Sequence, residues 1–130
     1  MGLPPQMRLK RHADFVEVAQ QAKGRANGLV IVRSTPNSLA SSRFGFAVSK
    51  RVGGAVIRNR VKRRLQETVR QLSVQPGFDV VLIARPAAAD SSFARLAVAV
   101  RDAFSRAGML KQSGDDPIGV EEARSTEALR

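Results

Sequence analysis

The chain has 130 residues, enough for one compact core and too few for two ordinary domains. Its 22 Lys and Arg residues against 11 Asp and Glu residues give a formal net charge of +11, more than solubility requires. Such an excess indicates a polyanionic partner. The chain contains no cysteine, which excludes disulfides and any cysteine-based zinc or redox site, and its single histidine is His12.

The charge is unevenly distributed along the chain. Residues 112–130 hold two basic and five acidic residues, a net charge of −3, whereas residues 1–111 hold 20 basic and six acidic residues, a net charge of +14. We predict one domain over residues 8–110, a flexible lead over residues 1–7, and an acidic, disordered tail over residues 111–130. Because the tail has no apolar pattern to bury, its removal is expected to leave folding and activity intact.

Neither export nor membrane insertion is indicated. The longest apolar runs, residues 29–32 and 80–84, are far shorter than the roughly 18 residues that a membrane-spanning helix needs. Residues 1–7 lack the apolar stretch of a signal peptide. The absence of cysteine fits a reducing compartment, and the sequence therefore predicts a cytoplasmic protein.

The first half of the chain predicts a helix and two strands. Apolar residues spaced three and four apart indicate a short amphipathic helix over residues 12–23. Two β-rich runs, 29–33 and 43–49, follow on either side of a polar segment and predict a hairpin with a long loop. In the second run, large apolar residues alternate with Gly45 and Ala47, so one face of that strand is small and lets a bulky group approach.

The second half predicts a helix, a strand and a helix. The helix over residues 56–72 has a buried stripe that consists of Ile57, Val61, Leu65, Thr68, Val69 and Leu72. The continuous apolar run over residues 79–84 indicates an interior strand. Asp90 is the predicted N-cap of the last helix, which Gly108 ends. This order predicts an α+β sandwich with a small sheet.

The densest charge lies between residues 43 and 70, where nine basic residues face one acid, Glu67. On a helix, like charges at i, i+3 and i+4 repel by about 0.2–0.5 kcal/mol per pair, and only Arg63 has an acid four residues away. The arrangement therefore favours an external anion, and the planar guanidinium group suits phosphate oxygens. The alternative is a merely solvated helix face. Charge alone does not distinguish RNA from DNA.

The run RFGFAVSKRVGGAVIRNRVKRRL, residues 43–65, closely resembles the signature of the bacterial ribonuclease P protein family. Supporting matches are RLK at residues 8–10, Asp14 with Phe15, and DVVLIARP at residues 79–86, so the resemblance spans roughly residues 7–108. It implies a single-domain α-β sandwich like the second domain of ribosomal protein S5, with a small mixed sheet and a left-handed βαβ crossover.

The resemblance also implies the function. In this family a catalytic RNA cuts precursor tRNA with bound Mg²⁺, and the protein binds the 5′ leader and strengthens metal-dependent substrate binding. The implied partners are that RNA and the leader, with no membrane and no DNA, and the protein is expected to be a monomer apart from the RNA. Protein side chains alone are expected to bind no metal or cofactor, and the protein alone is expected to be inactive.

Site residues follow from the positions that match the family. The residues expected to contact the catalytic RNA are Lys50, Arg51, Arg58, Asn59, Arg60, Lys62, Arg63 and Arg64. A cleft between the first helix and the sheet is expected to hold the leader on Phe15, Ala19 and Val32. Because Ala19 and Val32 stand where the family often has aromatic residues, stacking capacity is expected to be reduced. For Phe15 a simple core role is an equal alternative.

Some assignments stay open on the sequence alone. Asn59 either reads an RNA 2′-hydroxyl or caps the helix locally, and His12 is interpreted as a helix-start or RNA-facing residue and not as a catalytic group. A structural RNA-binding protein of the ribosomal type would share the charge and the fold. A protein-only nuclease would need clustered Asp, Glu or His residues that bind metal.

Overall fold

The computed structural model describes residues 7–9, 12–21 and 23–111. The elements in chain order are α1 (His12–Gln21), β1 (Lys23–Ala26), β2 (Val30–Pro36), β3 (Arg43–Ala47), α2 (Ala55–Gln71), β4 (Phe78–Ala84), a 3-10 helix (Pro86–Asp90) and α3 (Phe93–Arg106). The predicted lead, apart from Met7, and the predicted tail beyond Lys111 lie outside these described residues. None of the described helices is both long and apolar enough to cross a bilayer.

The four strands form one mixed sheet in the order β1-β2-β4-β3. β3 and β4 run parallel, and the other two pairs are antiparallel. Parallel neighbours need a crossover connection, and α2 supplies it. The predicted α+β sandwich with a small mixed sheet is confirmed, while the left hand of the crossover stays a prediction.

The predicted hairpin between residues 29–33 and 43–49 is wrong. β2 forms its hairpin with β1, a strand absent from the sequence prediction, and β4 lies between β2 and β3. The physical reason is the composition of β4, whose residues Val80, Val81 and Leu82 are all fully buried. A strand that is apolar on both faces is stable only in the interior of a sheet with both faces covered.

The two faces of the sheet carry different layers. Phe44, Val32 and Leu82 belong to the main core together with residues of α2 and α3, and the Phe44 and Phe104 rings stack with centroids 6.4 Å apart. Successive strand residues point to opposite faces. Val81 accordingly lies on the other face, which α1 covers, and it is buried there outside the main core.

Gly45 of β3 lies directly against the ring of Phe15 on α1. A Cβ atom built at Gly45 would lie 2.7 Å and 2.8 Å from two carbons of the Phe15 ring, closer than real Cβ contacts allow. The ring therefore rests on the backbone of β3. This confirms the prediction that the small face of this strand admits a bulky group.

The start of α3 differs from its prediction. Asp90 ends the 3-10 helix, and the N-cap is Ser92, whose hydroxyl accepts a hydrogen bond from the Arg95 backbone N–H at 3.1 Å. Pro86 starts a separate turn there, so the N-cap of α3 lies two residues later than predicted. The buried residues of α3 are Leu96, Val100, Ala103 and Phe104, which lie on one face of the helix.

Candidate nucleic-acid interface

α2 is buried on one side and cationic on the other. Its buried residues are Val61, Leu65, Thr68 and Val69, as the spacing predicted. The remaining surface of the helix carries six basic residues and one acid, Glu67. One helix therefore anchors the fold and presents the charge.

Three of the α2 arginines are partly engaged by backbone carbonyl groups. The hydrogen bonds are Arg58 Nε to the Gly53 oxygen at 3.1 Å, Arg60 Nη2 to the Ala89 oxygen at 3.0 Å, and Arg64 Nη1 to the Ser91 oxygen at 3.2 Å. The last two contacts hold α2 against the segment that leads into α3. A guanidinium group has five N–H donors, so each of these arginines keeps donors for a ligand.

The exposed residues Asn59, Arg60, Lys62, Arg63 and Arg70 form what we call the basic face. The pairing of Arg63 with Glu67 that the sequence offered does not occur. Glu67 instead accepts hydrogen bonds from Arg70 at 2.8 Å and from Gln71 at 2.8 Å. The bond from Arg70 and then that from Gln71 lower the pKa of the Glu67 carboxyl. Among the described residues, neither Lys62 nor Arg63 has a hydrogen-bond or ion-pair partner.

The other predicted RNA contacts lie at the start of α2 or on it. Lys50 and Arg51 are exposed in the turn that precedes the helix, and the Gly53 N–H donates to the Lys50 oxygen at 3.2 Å. Asn59 is the fifth residue of the helix, whereas the N-cap is Gly54, which makes no side-chain capping bond. The capping interpretation of Asn59 is therefore wrong, and its amide is exposed to solvent.

The predicted leader residues separate onto two sides of the sheet. Phe15 and Ala19 are half-buried on α1. Val32 is 1% exposed and belongs to the core on the opposite face, so the placement of Val32 corrects this part of the prediction. On β2 the neighbouring residue Arg33 has the opposite orientation because side chains alternate along a strand.

Arg33 lies on the α1 side of the sheet and is not among the residues predicted from the sequence. It pairs in register with Val81, whose side chain lies on the α1 face, and it is half-buried. No ion pair or side-chain hydrogen bond is formed by Arg33 within the described ranges. The alternation of side chains along β2 could have predicted the orientation of Arg33. Val30 and Val32 are buried in the core, so Ile31 and Arg33 point to the other face.

Acidic side chains are sparse in the part of the chain that the structure describes. No group of three or more His, Cys, Asp or Glu residues there is close enough to hold a metal ion. Asp79 is already bound by Arg43, and His12 is an exposed first residue of α1.

The fold and the basic face define a small RNA-binding α+β protein. Residues 3–108 match the model of the Ribonuclease P family. The ribonuclease P protein component of Roseiflexus sp. (strain RS-1) is 41% identical over 117 residues, which cover 86% of this chain and 96% of that protein. The chain therefore belongs to the ribonuclease P protein family.

Solved structures of ribonuclease P proteins have a similar fold. The Staphylococcus aureus RNase P protein has a TM-score of 0.74 at 28% identity, covering 81% of this chain and 98% of that one. A mutant of the S. aureus protein with defective mRNA degradation activity has a TM-score of 0.74 at 29% identity, covering 81% and 91%. The role as protein subunit of ribonuclease P, and not as a ribosomal-type scaffold, follows from these relatives.

Proposed function

We propose that this chain assists the catalytic RNA of ribonuclease P in removing the 5′ leader from precursor tRNA, and that the RNA with its Mg²⁺ carries out the cleavage. The supporting observation is the state of Lys62 and Arg63 on α2. Both cations are exposed, and the acid nearest to them in sequence, Glu67, is bound to Arg70. Two such cations on a rigid helix form a phosphate-binding surface.

The basic face is assigned to the catalytic RNA. α2 has 17 residues and is about 25 Å long at 1.5 Å per residue, so its charges can meet several phosphates along one RNA segment. Lys50 and Arg51 extend the cationic surface beyond the first turn of the helix. Arg58, Arg60 and Arg64 contribute their remaining donors while their backbone contacts hold them in place.

The leader is assigned to the opposite side of the sheet. Phe15 provides one aromatic ring there, and Ile31 and Arg33 of β2 lie on the same face. A base stacked on an aromatic ring contributes about 1–3 kcal/mol, and a guanidinium group can also stack on a base while it binds phosphate. Because Ala19 replaces an aromatic residue, we expect Arg33 and apolar packing to contribute much of the binding affinity for the leader.

The basic face and the leader surface lie on opposite sides of the sheet, and this arrangement explains how the protein would assist the catalytic RNA. One side holds the catalytic RNA, and the other holds the single-stranded part of the substrate, so the protein ties the two together. We further propose that the protein acts in the cytoplasm as a monomer apart from its RNA, with no DNA or membrane partner.

The direct test adds the purified protein to its organism's ribonuclease P RNA at low Mg²⁺ and measures the rate of 5′ cleavage. We expect stimulation with a precursor tRNA that has a long leader, and much weaker stimulation when the leader is too short to reach α1. Stimulation that is independent of leader length would remove the leader assignment. If the protein raised the cleavage rate of neither precursor, the proposed function would be overturned.

A control without RNA tests the division of labour. Cleavage of the precursor by the protein alone, after nuclease treatment to remove all RNA, would contradict the assignment of catalysis to the RNA subunit. The same control measured on an mRNA fragment shows whether this chain has the activity named for the S. aureus protein.

A further inference from the structure

The last described residues run beside the C-terminal end of α2. The Gln75 N–H donates to the Met109 oxygen at 2.7 Å, and the Lys111 N–H donates to the Ser73 oxygen at 2.8 Å. This pairing is antiparallel, so the chain at Lys111 is directed back toward the last turn of the helix. Lys111, the last described residue, therefore lies next to the end of the basic face that carries Arg70.

The charges of these two parts of the chain are complementary. Residues 112–130 carry a net charge of −3, and their acids are Asp115, Asp116, Glu121, Glu122 and Glu127. α2 carries six basic residues and one acid. The match to the ribonuclease P family model ends at residue 108, so the family's role does not account for the acidic segment.

We propose that residues 112–130, the acidic tail, dock on the basic face of α2 in the free protein and are displaced when RNA binds there. The docking rests on charge and on the position of Lys111 alone. The displacement by RNA also rests on the proposed function, which assigns the basic face to RNA. The tail then acts as an internal competitor that RNA must replace.

The length of the tail is sufficient for this contact. Asp115 and Asp116 follow Lys111 by four and five residues, a reach of roughly 13–18 Å for an extended chain. Arg63 lies eight residues before the end of α2, about 12 Å along the helix axis. Glu122, eleven residues beyond Lys111, can reach the first turn of α2.

The energetics make the contact reversible. A single exposed ion pair contributes only about 0.2–1 kcal/mol. A tethered partner has an effective concentration in the millimolar range, however, so several such pairs together occupy the surface for much of the time. The apparent affinity for RNA is the intrinsic affinity multiplied by the fraction of protein whose basic face is free. Because the contact is exposed, added salt weakens it.

The chain contains no cysteine, which allows one spin label to report on the tail of the whole protein. With the label on Ser125→Cys, we expect amide NMR signals of Asn59, Arg63 and Arg70 to broaden at low salt. The amide of Arg101, exposed on α3, serves as the reference and stays sharp. The broadening disappears at high salt and in a labelled variant with the five tail acids changed to Asn or Gln. Equal broadening at Arg101, or broadening that survives the change of the acids, would overturn the docking.

The displacement is tested with a short RNA duplex, which offers phosphates to the basic face and no single strand to the leader surface. We expect this RNA to remove the broadening, and deletion of residues 112–130 to tighten duplex binding about fivefold at low salt, a ratio that approaches one at high salt. Absence of docking would overturn this inference and leave the proposed function intact. Docking that persists with bound RNA would instead overturn the assignment of the basic face to RNA.

Discussion

Arg43 of β3 and Asp79 of β4 form a two-pronged ion pair across the parallel strands. Arg43 Nε lies 2.9 Å from Asp79 Oδ1 and Nη2 lies 2.7 Å from Oδ2, and the two residues are register partners. Asn37 Nδ2 donates a further bond to Oδ1 at 2.7 Å. Because a shift of the strands by one residue would break this pair, it fixes the register at the start of β4.

Removing the charge of Asp79 is expected to destabilise the fold. Asp79→Asn leaves the partly buried Arg43 guanidinium group with only the more distant Asp14 carboxylate, 4.0 Å away, and should lower the free energy of unfolding by about 2 kcal/mol. The matched control is Asp102→Asn, which breaks an exposed pair with Arg106 at 3.1 Å and should change stability by less than about 1 kcal/mol. Urea unfolding at neutral pH measures both variants. Equal losses would contradict a special role for the Arg43 pair.

The same pair predicts a dependence on pH. Burial by itself would raise the pKa of the Asp79 carboxyl, but the hydrogen bonds from Arg43 and Asn37 and the charge of Arg43 outweigh it and hold the pKa below its usual range. The pair's contribution is therefore complete above the ordinary Asp pKa of about 4 and is lost as the pH falls through the lowered value. Urea unfolding of wild type and Asp79→Asn should show a difference that shrinks as the solution is acidified below that range.

The contact of Phe15 with Gly45 predicts that adding a methyl group at position 45 destabilises the fold. Gly45→Ala forces the Phe15 ring away from β3 and should lower the free energy of unfolding by about 1–3 kcal/mol. Gly28→Ala is the control, because a Cβ there meets no atom within 4 Å. Urea unfolding compares the two, and leader binding should weaken only in the Gly45 variant. A Gly45 variant as stable as the Gly28 variant would show that α1 shifts freely.

Much of the fold could be predicted because apolar spacing reflects burial directly, as at Val61 and Leu65 of α2, both fully buried. The sheet order could not be predicted in the same way. A strand such as β2 has two edges, and its pairing with β1 and β4 depends on which apolar faces meet in the complete core. β1 itself, KGRA, has no apolar alternation and is a strand only because β2 offers it an edge.

The N-cap of α3 is a second feature that the sequence alone did not predict correctly, and its identity can be tested by mutation. Both Asp90 and Ser92 suit an N-cap by type, and Pro86 decides between them by starting the 3-10 helix. Ser92→Ala is expected to lower the free energy of unfolding by about 1 kcal/mol, whereas Asp90→Ala should have little effect. Thermal or urea unfolding distinguishes the two variants. A larger loss for Asp90→Ala would restore the prediction from sequence.

The sequence predicts the cationic surface of α2, but it does not predict which of its charged side chains form ion pairs with each other. Because Glu67 pairs with Arg70, Arg63 has no acidic partner among the described residues, and we propose that it binds RNA. Arg63→Ala should weaken binding to the catalytic RNA and flatten its salt dependence by roughly 0.7–0.9 log unit for each phosphate that the side chain neutralises. Arg101→Ala removes the same charge from an exposed site on α3 and is the control. Filter binding over a salt series measures both slopes, and equal slopes would move the RNA contact away from α2.

Val32 and Arg33 give the sharpest test of the leader surface, because these neighbours on β2 face opposite sides of the sheet. Val32→Ala removes two buried methyl groups and should lower the free energy of unfolding by about 2 kcal/mol, with leader affinity unchanged in the folded protein. Arg33→Ala should leave stability nearly unchanged and weaken leader binding about fivefold, the loss of roughly 1 kcal/mol from one stacking or phosphate interaction. Fluorescence anisotropy with a labelled single-stranded leader, beside urea unfolding, separates the two effects. If Val32→Ala weakened leader binding more than Arg33→Ala at equal folded fraction, the leader would lie on the α3 side of the sheet.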